Sequence, residues 1–122
     1  MPRVQQEPLE LNVYRVDGYP CLRLTGEGDP QGADRLEAAC RELMLAGHHR
    51  MVVDARDVQF FDPDCARRLE EICQELQEEG GGMVLVDRSL PVERSLKLVG
   101  LDRCVPVAAS IAEATRCLDL LE

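Results

Sequence analysis

Aromatic residues are what this sequence most clearly lacks. Its 122 residues include no tryptophan, two tyrosines and two phenylalanines, so aromatics make up 3% of the chain while apolar residues make up 45%. The core must therefore be built from aliphatic side chains, methionine and cysteine. A chain of this length fits one domain, and we predict a single domain over residues 1–122.

Basic residues are also scarce relative to acidic ones. The chain has 14 Lys and Arg against 23 Asp and Glu, a formal net charge of −9. Such a charge repels nucleic-acid phosphate and anionic membrane surfaces, so we expect neither as a partner. It suits docking onto a basic protein surface instead.

No long apolar segment is present. No stretch approaches about 18 uninterrupted apolar residues, and residues 1–7 (MPRVQQE) have no apolar stretch of the kind that export signals carry. We therefore expect a cytoplasmic protein without a membrane span.

The six cysteines do not form a metal-binding or disulfide pattern. They occur singly, at Cys21, Cys40, Cys65, Cys73, Cys104 and Cys117, with no CxxC pair. In a protein that is not exported, we expect them to be reduced, buried and free of metal. The adjacent His48 and His49 have no matched cysteine or carboxylate spacing, so they are interpreted as a solvated turn.

Residues suited to catalysis or cofactor binding are few. The hydroxyl side chains other than tyrosine are Thr25, Ser89, Ser95, Ser110 and Thr115, and none lies in a nucleophile motif. Cys65 is the best thiol nucleophile by position, but Asp62 and Asp64 beside it should raise its pKa. Neither glycine cluster, at 26–28 or 80–82, has the spacing of a phosphate-binding loop. We predict no enzymatic activity and no cofactor.

Hydrophobic periodicity predicts a mixed sheet with helices packed on it. The order is β-β-α-β-α-β-α-β-α, and residues 26–30 are predicted as a loop. The strands are predicted at 11–16, 21–25, 50–55, 83–86 and 104–108, and the helices at 33–44, 63–79, 91–99 and 111–121.

Local signals support several of these boundaries. Asp17-Gly18 is a hairpin turn signal. Asp62 is predicted to cap the second helix, followed by Pro63 at its first position and Asp64 in its first turn. Ser110 and Glu113 match a capping box. For the last helix the predicted inner face consists of Ile111, Ala114, Cys117, Leu118 and Leu121.

Four segments, taken in order, resemble the STAS domains of anti-sigma factor antagonists. They are 24–29 (LTGEGD), 52–62 (VVDARDVQFFD), 81–86 (GGMVLV) and 96–103 (LKLVGLDR). The resemblance covers about residues 10 to 118. It implies an α/β, STAS-type mixed sheet of four to five strands with about four helices, in the order given above.

The resemblance also implies a site at the start of the second helix. In such proteins an aspartate is followed by Ser-Ser-Gly, and a kinase-type anti-sigma factor phosphorylates the second serine or a threonine there. Here Asp62 keeps the aspartate, but Pro63, Asp64 and Cys65 follow it, so no hydroxyl occupies the phosphorylation position. Asp64 could imitate the phosphorylated state or simply belong to the first helical turn. Both alternatives stay open from sequence.

The resemblance therefore predicts a regulatory protein-binding module. Its partner would be a kinase-type anti-sigma factor or another signalling protein, bound through Asp29, Asp62, Asp64, Cys65 and Arg68. The alternative is a cytoplasmic STAS subunit of a membrane transporter, which would also be bound through the second helix.

Overall fold

A computed structural model of the chain describes residues 8–87, 94, 97 and 105–121. Within these ranges it contains a five-stranded sheet and three helices, which confirms the predicted α/β class and the mixed sheet. The elements are β1 (Glu10–Val16), β2 (Tyr19–Gly28), α1 (Pro30–Leu45), β3 (Arg50–Phe61), α2 (Pro63–Glu78), β4 (Gly82–Val86), β5 (Val107–Ala108) and α3 (Ile111–Asp119). Of the helix predicted at 91–99, Arg94 and Lys97 are helical and the rest lies outside the described residues, as does Cys104.

The strands follow chain order across the sheet, β1-β2-β3-β4-β5. β1 and β2 are antiparallel, and the other neighbours are parallel. The turn between β1 and β2 is the predicted Asp17-Gly18 pair, with φ of 51° and 84°. Positive φ at both central residues gives the turn a twist that matches the two strands.

Two apolar cores lie on opposite faces of the sheet. α1 and α2 pack on one face with Leu22, Val53 and Phe61. α3 packs on the other face, against Val52 and Val84. Successive strand residues point to opposite faces, so the neighbours Val52 and Val53 belong to different cores.

β3 is twice as long as predicted. The prediction ended at residue 55 because two irregularities interrupt the alternation of buried and exposed side chains along the strand. Between Arg23 and Thr25 of β2, and again between Gly26 and Glu27, β3 uses one residue more than its partner strand. Each extra residue reverses which side chains face α1 and α2. The prediction of a loop at 26–30 was also wrong, since the backbone of 26–28 pairs with β3 and Pro30 begins α1.

α3 begins at the predicted serine cap and buries part of its predicted inner face, since Ala114 and Leu118 lie in the core with Ile111 packed against them. Ser110 Oγ accepts a hydrogen bond from the Glu113 N–H at 3.1 Å, while the Glu113 carboxylate accepts from the Ala109 N–H at 3.2 Å rather than from Ser110. Cys117 and Leu121 are exposed, so their assignment to the inner face was wrong. Thr115 is buried instead, with its hydroxyl 3.2 Å from Asp17 Oδ2, and this partner makes its burial tolerable.

The thiols should differ sharply in reactivity. Cys21, Cys40, Cys65 and Cys73 are free and buried, whereas Cys117 is free and exposed. Burial raises the pKa of Cys40 and of Cys65 to about 12, and the nearby Asp62 adds to the effect at Cys65. We therefore expect iodoacetamide to label Cys117 in the folded protein, and Cys40 and Cys65 only in denaturant. Mass spectrometry of the alkylated peptides tests this, and labelling of Cys65 as fast as Cys117 would contradict it.

Candidate functional site

The starts of α1 and α2 meet where β2 and β3 end. The Asp62 N–H donates a hydrogen bond to the Gly28 carbonyl at 2.8 Å, which joins the loop before α2 to the loop before α1. Both helices begin in the same way, with an aspartate cap followed by proline. Asp29 accepts from the Gly32 N–H at 2.6 Å, and Asp62 accepts from the Asp64 N–H at 2.8 Å. The predicted cap at Asp62 is confirmed, and Asp29 is a second cap that the sequence prediction missed.

Asp64 lies in the first turn of α2, as predicted, and its side chain is 37% exposed. One carboxylate oxygen lies 3.6 Å from Arg67 Nη1, and the other lies 3.8 Å from Arg68 Nη2. Ion pairs at this distance and exposure are weak, so the carboxylate stays accessible while its charge is partly offset.

Arg68 joins α2 to α1. Its Nη1 donates to Glu37 Oε1 at 2.6 Å, and its Nη2 lies 3.1 Å from Asp34 Oδ1. The hydrogen bond to Glu37 is the main reason that the pKa of Arg68 is raised. Most of the guanidinium is therefore engaged within the chain.

A second arginine continues this polar contact between the helices. Arg41 on α1 donates two hydrogen bonds to Glu75 on α2, at 2.8 and 3.0 Å, and a third to Glu37 at 3.0 Å. Glu37 thus lies between two guanidinium groups, and the hydrogen bond from Arg41, followed by that from Arg68, lowers its pKa. Glu75, expected from sequence to lie on the solvated face, is a bridging residue.

Cys65 lies beneath this surface. The thiol is fully buried, with Sγ 3.4 Å from the carbonyl oxygens of both Gly28 and Asp29. A Cβ on Gly28 would lie 3.0 Å from the Phe61 ring and 3.4 Å from Cys65 Sγ, so the glycine is what lets the two loops approach. The geometry gives Cys65 a packing role beneath the caps.

The structure brings Asp29, Asp62, Asp64 and Cys65 together and places Arg68 one turn further along α2. Sequence reasoning missed Glu37, which comes from α1, and Phe60, the exposed aromatic residue before the Asp62 cap. The adjacent Phe60 and Phe61 were a usable signal, because neighbouring residues in a regular strand cannot both face one core.

The described residues include neither a metal-binding cluster nor a membrane-spanning helix. No group of three His, Cys, Asp or Glu side chains in 8–87, 94, 97 and 105–121 is placed to hold a metal ion. Within the same ranges no helix has both the length and the apolar content needed to cross a membrane.

Comparison with known proteins identifies the family. Residues 10–114 match the STAS domain. The chain belongs to the STAS domain family. The resemblance seen in the sequence segments is thereby confirmed. No curated protein sequence matches the chain significantly.

Several solved structures share the fold of this STAS domain. An anti-sigma factor antagonist from Mycobacterium paratuberculosis has a TM-score of 0.81 and 24% identity, covering 91% of this chain and 94% of that one. SpoIIAA in its unphosphorylated form has a TM-score of 0.74 and 16% identity, over 93% of this chain and 100% of that one. The phosphorylated form of Bacillus SpoIIAA gives 0.68 and 17%, over 88% and 99%. At these identities the likeness establishes the fold.

Proposed function

We propose that this STAS domain is a regulatory protein-binding module that acts as an anti-sigma factor antagonist. Its partner is a kinase-type anti-sigma factor, bound through the starts of α1 and α2. The observation that carries the proposal is the accessible carboxylate of Asp64 at a capped helix start. This helix start is held against the Asp29 loop by the hydrogen bond from the Asp62 N–H to the Gly28 carbonyl. Support also comes from the fold, which the chain shares with SpoIIAA in both its forms.

The proposed module differs from a phosphorylation switch in one respect. Residues 63–65 carry no hydroxyl. Asp64 carries one negative charge, whereas a phosphoserine carries about 1.5 to 2. That single charge is partly offset by Arg67 and Arg68, at 3.6 and 3.8 Å. We infer that the chain is a constitutive binder, fixed in a state equivalent to the unphosphorylated one.

Incubation with the cognate kinase-type anti-sigma factor and ATP should leave residues 63–65 unmodified, because no acceptor hydroxyl is present. Intact mass and site mapping measure this directly. In the Asp64→Ser variant, one phosphate should appear at position 64. A phosphate on the wild-type chain at Ser89 or Ser95 would mean that the switch has moved, and one on Asp64 itself would overturn the proposal.

Asp64→Ser should barely change affinity before phosphorylation. If the chain is a constitutive binder, the Kd of Asp64→Ser for the anti-sigma factor should stay within about threefold of the wild-type value, since a charge at the rim of an interface contributes more to the association rate than to affinity. After phosphorylation the variant should release its partner. Isothermal titration of both forms provides the measurement, and Glu78→Arg at the far, exposed end of α2 is the control.

Stability must be followed alongside binding. The substitution removes a favourable helix-dipole interaction, at a cost of about 0.3–1 kcal/mol. If unphosphorylated Asp64→Ser instead binds more than about tenfold tighter, Asp64 imitates a phosphate and the constitutive proposal is wrong. Binding that responds to Glu78→Arg but ignores Asp29→Ala would place the interface elsewhere.

A further inference from the structure

An irregularity at the end of β3 determines where Phe60 points. Gly26 pairs with Val58, but the next residue of β2, Glu27, pairs with Phe60, so Gln59 is an extra residue in β3. Val58 and Phe61 both enter the core beneath α1 and α2. In a regular strand starting from Val58, Phe60 would enter that core and Phe61 would face away. The extra residue exchanges them, and such bulges often redirect side chains beside functional sites.

Phe60 consequently lies on the sheet face opposite α1 and α2, and it is 48% exposed there. Its neighbour in register, Glu27, is on the same face, because Leu22 and Leu24 of β2 face the helices and odd-numbered residues face away. α3 packs further along this face, in a core that includes Cys21, Val52 and residues of β4 and β5, and Phe60 is not part of that core.

The surroundings of Phe60 are acidic. Glu27 is its cross-strand neighbour, and Asp62 and Asp64 follow it in the chain. Three arginines of the adjoining strand and helix already have carboxylate neighbours: Arg23 pairs with Asp57 at 2.7 Å, Arg68 with Glu37 at 2.6 Å, and Arg67 lies 3.6 Å from Asp64. Aromatic side chains are enriched at the centres of protein interfaces, and polar or charged residues surround them. Phe60, exposed on a paired strand with carboxylates near it in register and in sequence, has both features.

We propose that Phe60 is the apolar anchor of a docking surface that extends from the start of α2 onto the opposite sheet face. The occupant that fits it is a protein with an apolar pocket rimmed by lysine or arginine, because the carboxylates around Phe60 and the net charge of −9 require a basic counterpart. The identity of the partner, a kinase-type anti-sigma factor, rests on the proposed function. The inference adds that the surface of this partner has an apolar pocket with a basic rim.

Titration of Phe60 variants against the purified kinase-type anti-sigma factor tests the anchor. Phe60→Ala should weaken binding at least about tenfold, as expected for truncation of an aromatic hot spot, whereas Phe60→Leu should stay within about threefold to fivefold of wild type. The control is Val13→Ala, an apolar residue on β1 that is 53% exposed and should not matter. Binding should also weaken as salt rises from about 0.05 to about 0.5 M.

Thermal unfolding separates binding from stability, since a side chain this exposed should shift Tm little when truncated. Equal affinities for wild type and Phe60→Ala, with both folded, would overturn the anchor while leaving the proposed function intact. A Phe60→Ala loss that Val13→Ala reproduces would also overturn it.

A second experiment decides the case in which no kinase-type anti-sigma factor binds the wild-type chain. The photo-crosslinker p-benzoylphenylalanine is placed at position 60 or, as a control, at position 13, and the chain is irradiated in lysate of its own organism. A protein crosslinked at 60 alone, which then loses affinity for Phe60→Ala when purified, supports the anchor and replaces the proposed partner. If no crosslink is specific to position 60, the proposal that Phe60 is an anchor is overturned as well.

Discussion

Replacing Arg56 by methionine should lower the free energy of unfolding by about 3 kcal/mol near pH 7. The side chain of Asp54 in β3 is 2% exposed, and Arg56 donates to its two oxygens at 2.9 and 2.8 Å. Methionine keeps most of the length of the side chain but leaves a buried carboxylate without its countercharge. The expected loss is at the low end of the range for a broken buried pair, because the guanidinium is itself 34% exposed. Urea unfolding measures it.

The pH dependence identifies the cause of this loss. Burial tends to raise the pKa of Asp54, but hydrogen bonds from Arg56 outweigh burial and hold it below its usual value. In the wild type this stabilisation is present above the unfolded pKa of about 3.9 and is lost as pH falls through the folded value. In Arg56→Met the backbone N–H of residue 56 still donates to Asp54, but the guanidinium no longer opposes burial, so the folded pKa rises above that of the wild type and the penalty shrinks as pH falls through it. The difference between the two proteins should therefore decrease from pH 7 to pH 4.

An exposed ion pair provides the matched control. Arg23 and Asp57 are 2.7 Å apart in the neighbouring part of the sheet, but their side chains are 52% and 51% exposed. Arg23→Met should produce no measurable loss, because water screens such a pair. If Arg23→Met costs as much as Arg56→Met, or if the Arg56→Met loss does not change with pH, packing rather than charge is responsible.

Gly81→Ala should destabilise the protein by at least about 3 kcal/mol, the upper end for overpacking. An added Cβ would lie 1.8 Å from the His49 carbonyl oxygen and 2.6 Å from its carbon. Both atoms belong to the backbone at the entrance of β3, where the Gly82 N–H donates to the same oxygen at 2.8 Å. The turn after α2 would have to move away from β3, which breaks the first contact between β3 and β4. Soluble yield and urea unfolding measure the effect.

Gly80→Ala separates this clash from backbone strain. Gly80 has φ of +79° and no atom within 4 Å of the added Cβ, so alanine there meets open space but an unfavourable conformation. The expected cost is about 1–2 kcal/mol. If Gly80→Ala proves more damaging than Gly81→Ala, backbone conformation and not close approach governs this turn.

Elements with strong local signals were predictable from sequence. α2 has one apolar face of Ala66, Leu69, Ile72, Cys73 and Leu76, all buried as expected, and a cap at Asp62 that local rules suffice to place. The Asp17-Gly18 turn was predictable for the same reason, since its backbone conformation selects its residues.

Features that depend on pairing between distant residues were not predictable. Residues 26–28 have almost no side-chain pattern, yet they are part of β2 because β3 lies beside them. In α3, Thr115 is buried whereas Cys117, which was expected to be buried, is exposed. Burial of Thr115 is tolerated because its hydroxyl donates a hydrogen bond to Asp17, 98 positions earlier in the chain. Likewise, Arg68 was predicted at the site, but its partner Glu37 lies 31 residues away on α1.

The extra residue at Gln59 also has a consequence for evolution in this family. Deletion of Gln59 would make the pairing with β2 regular without turning either ring, because Val58 and Phe61 would still face the core and Phe60 the opposite side of the sheet. A relative that keeps this residue but pairs it regularly would instead have position 60 in the core and position 61 on the surface. When relatives are aligned, identical residues in these two columns therefore occupy equivalent places only if their strands share the irregularity or carry the gap at position 59.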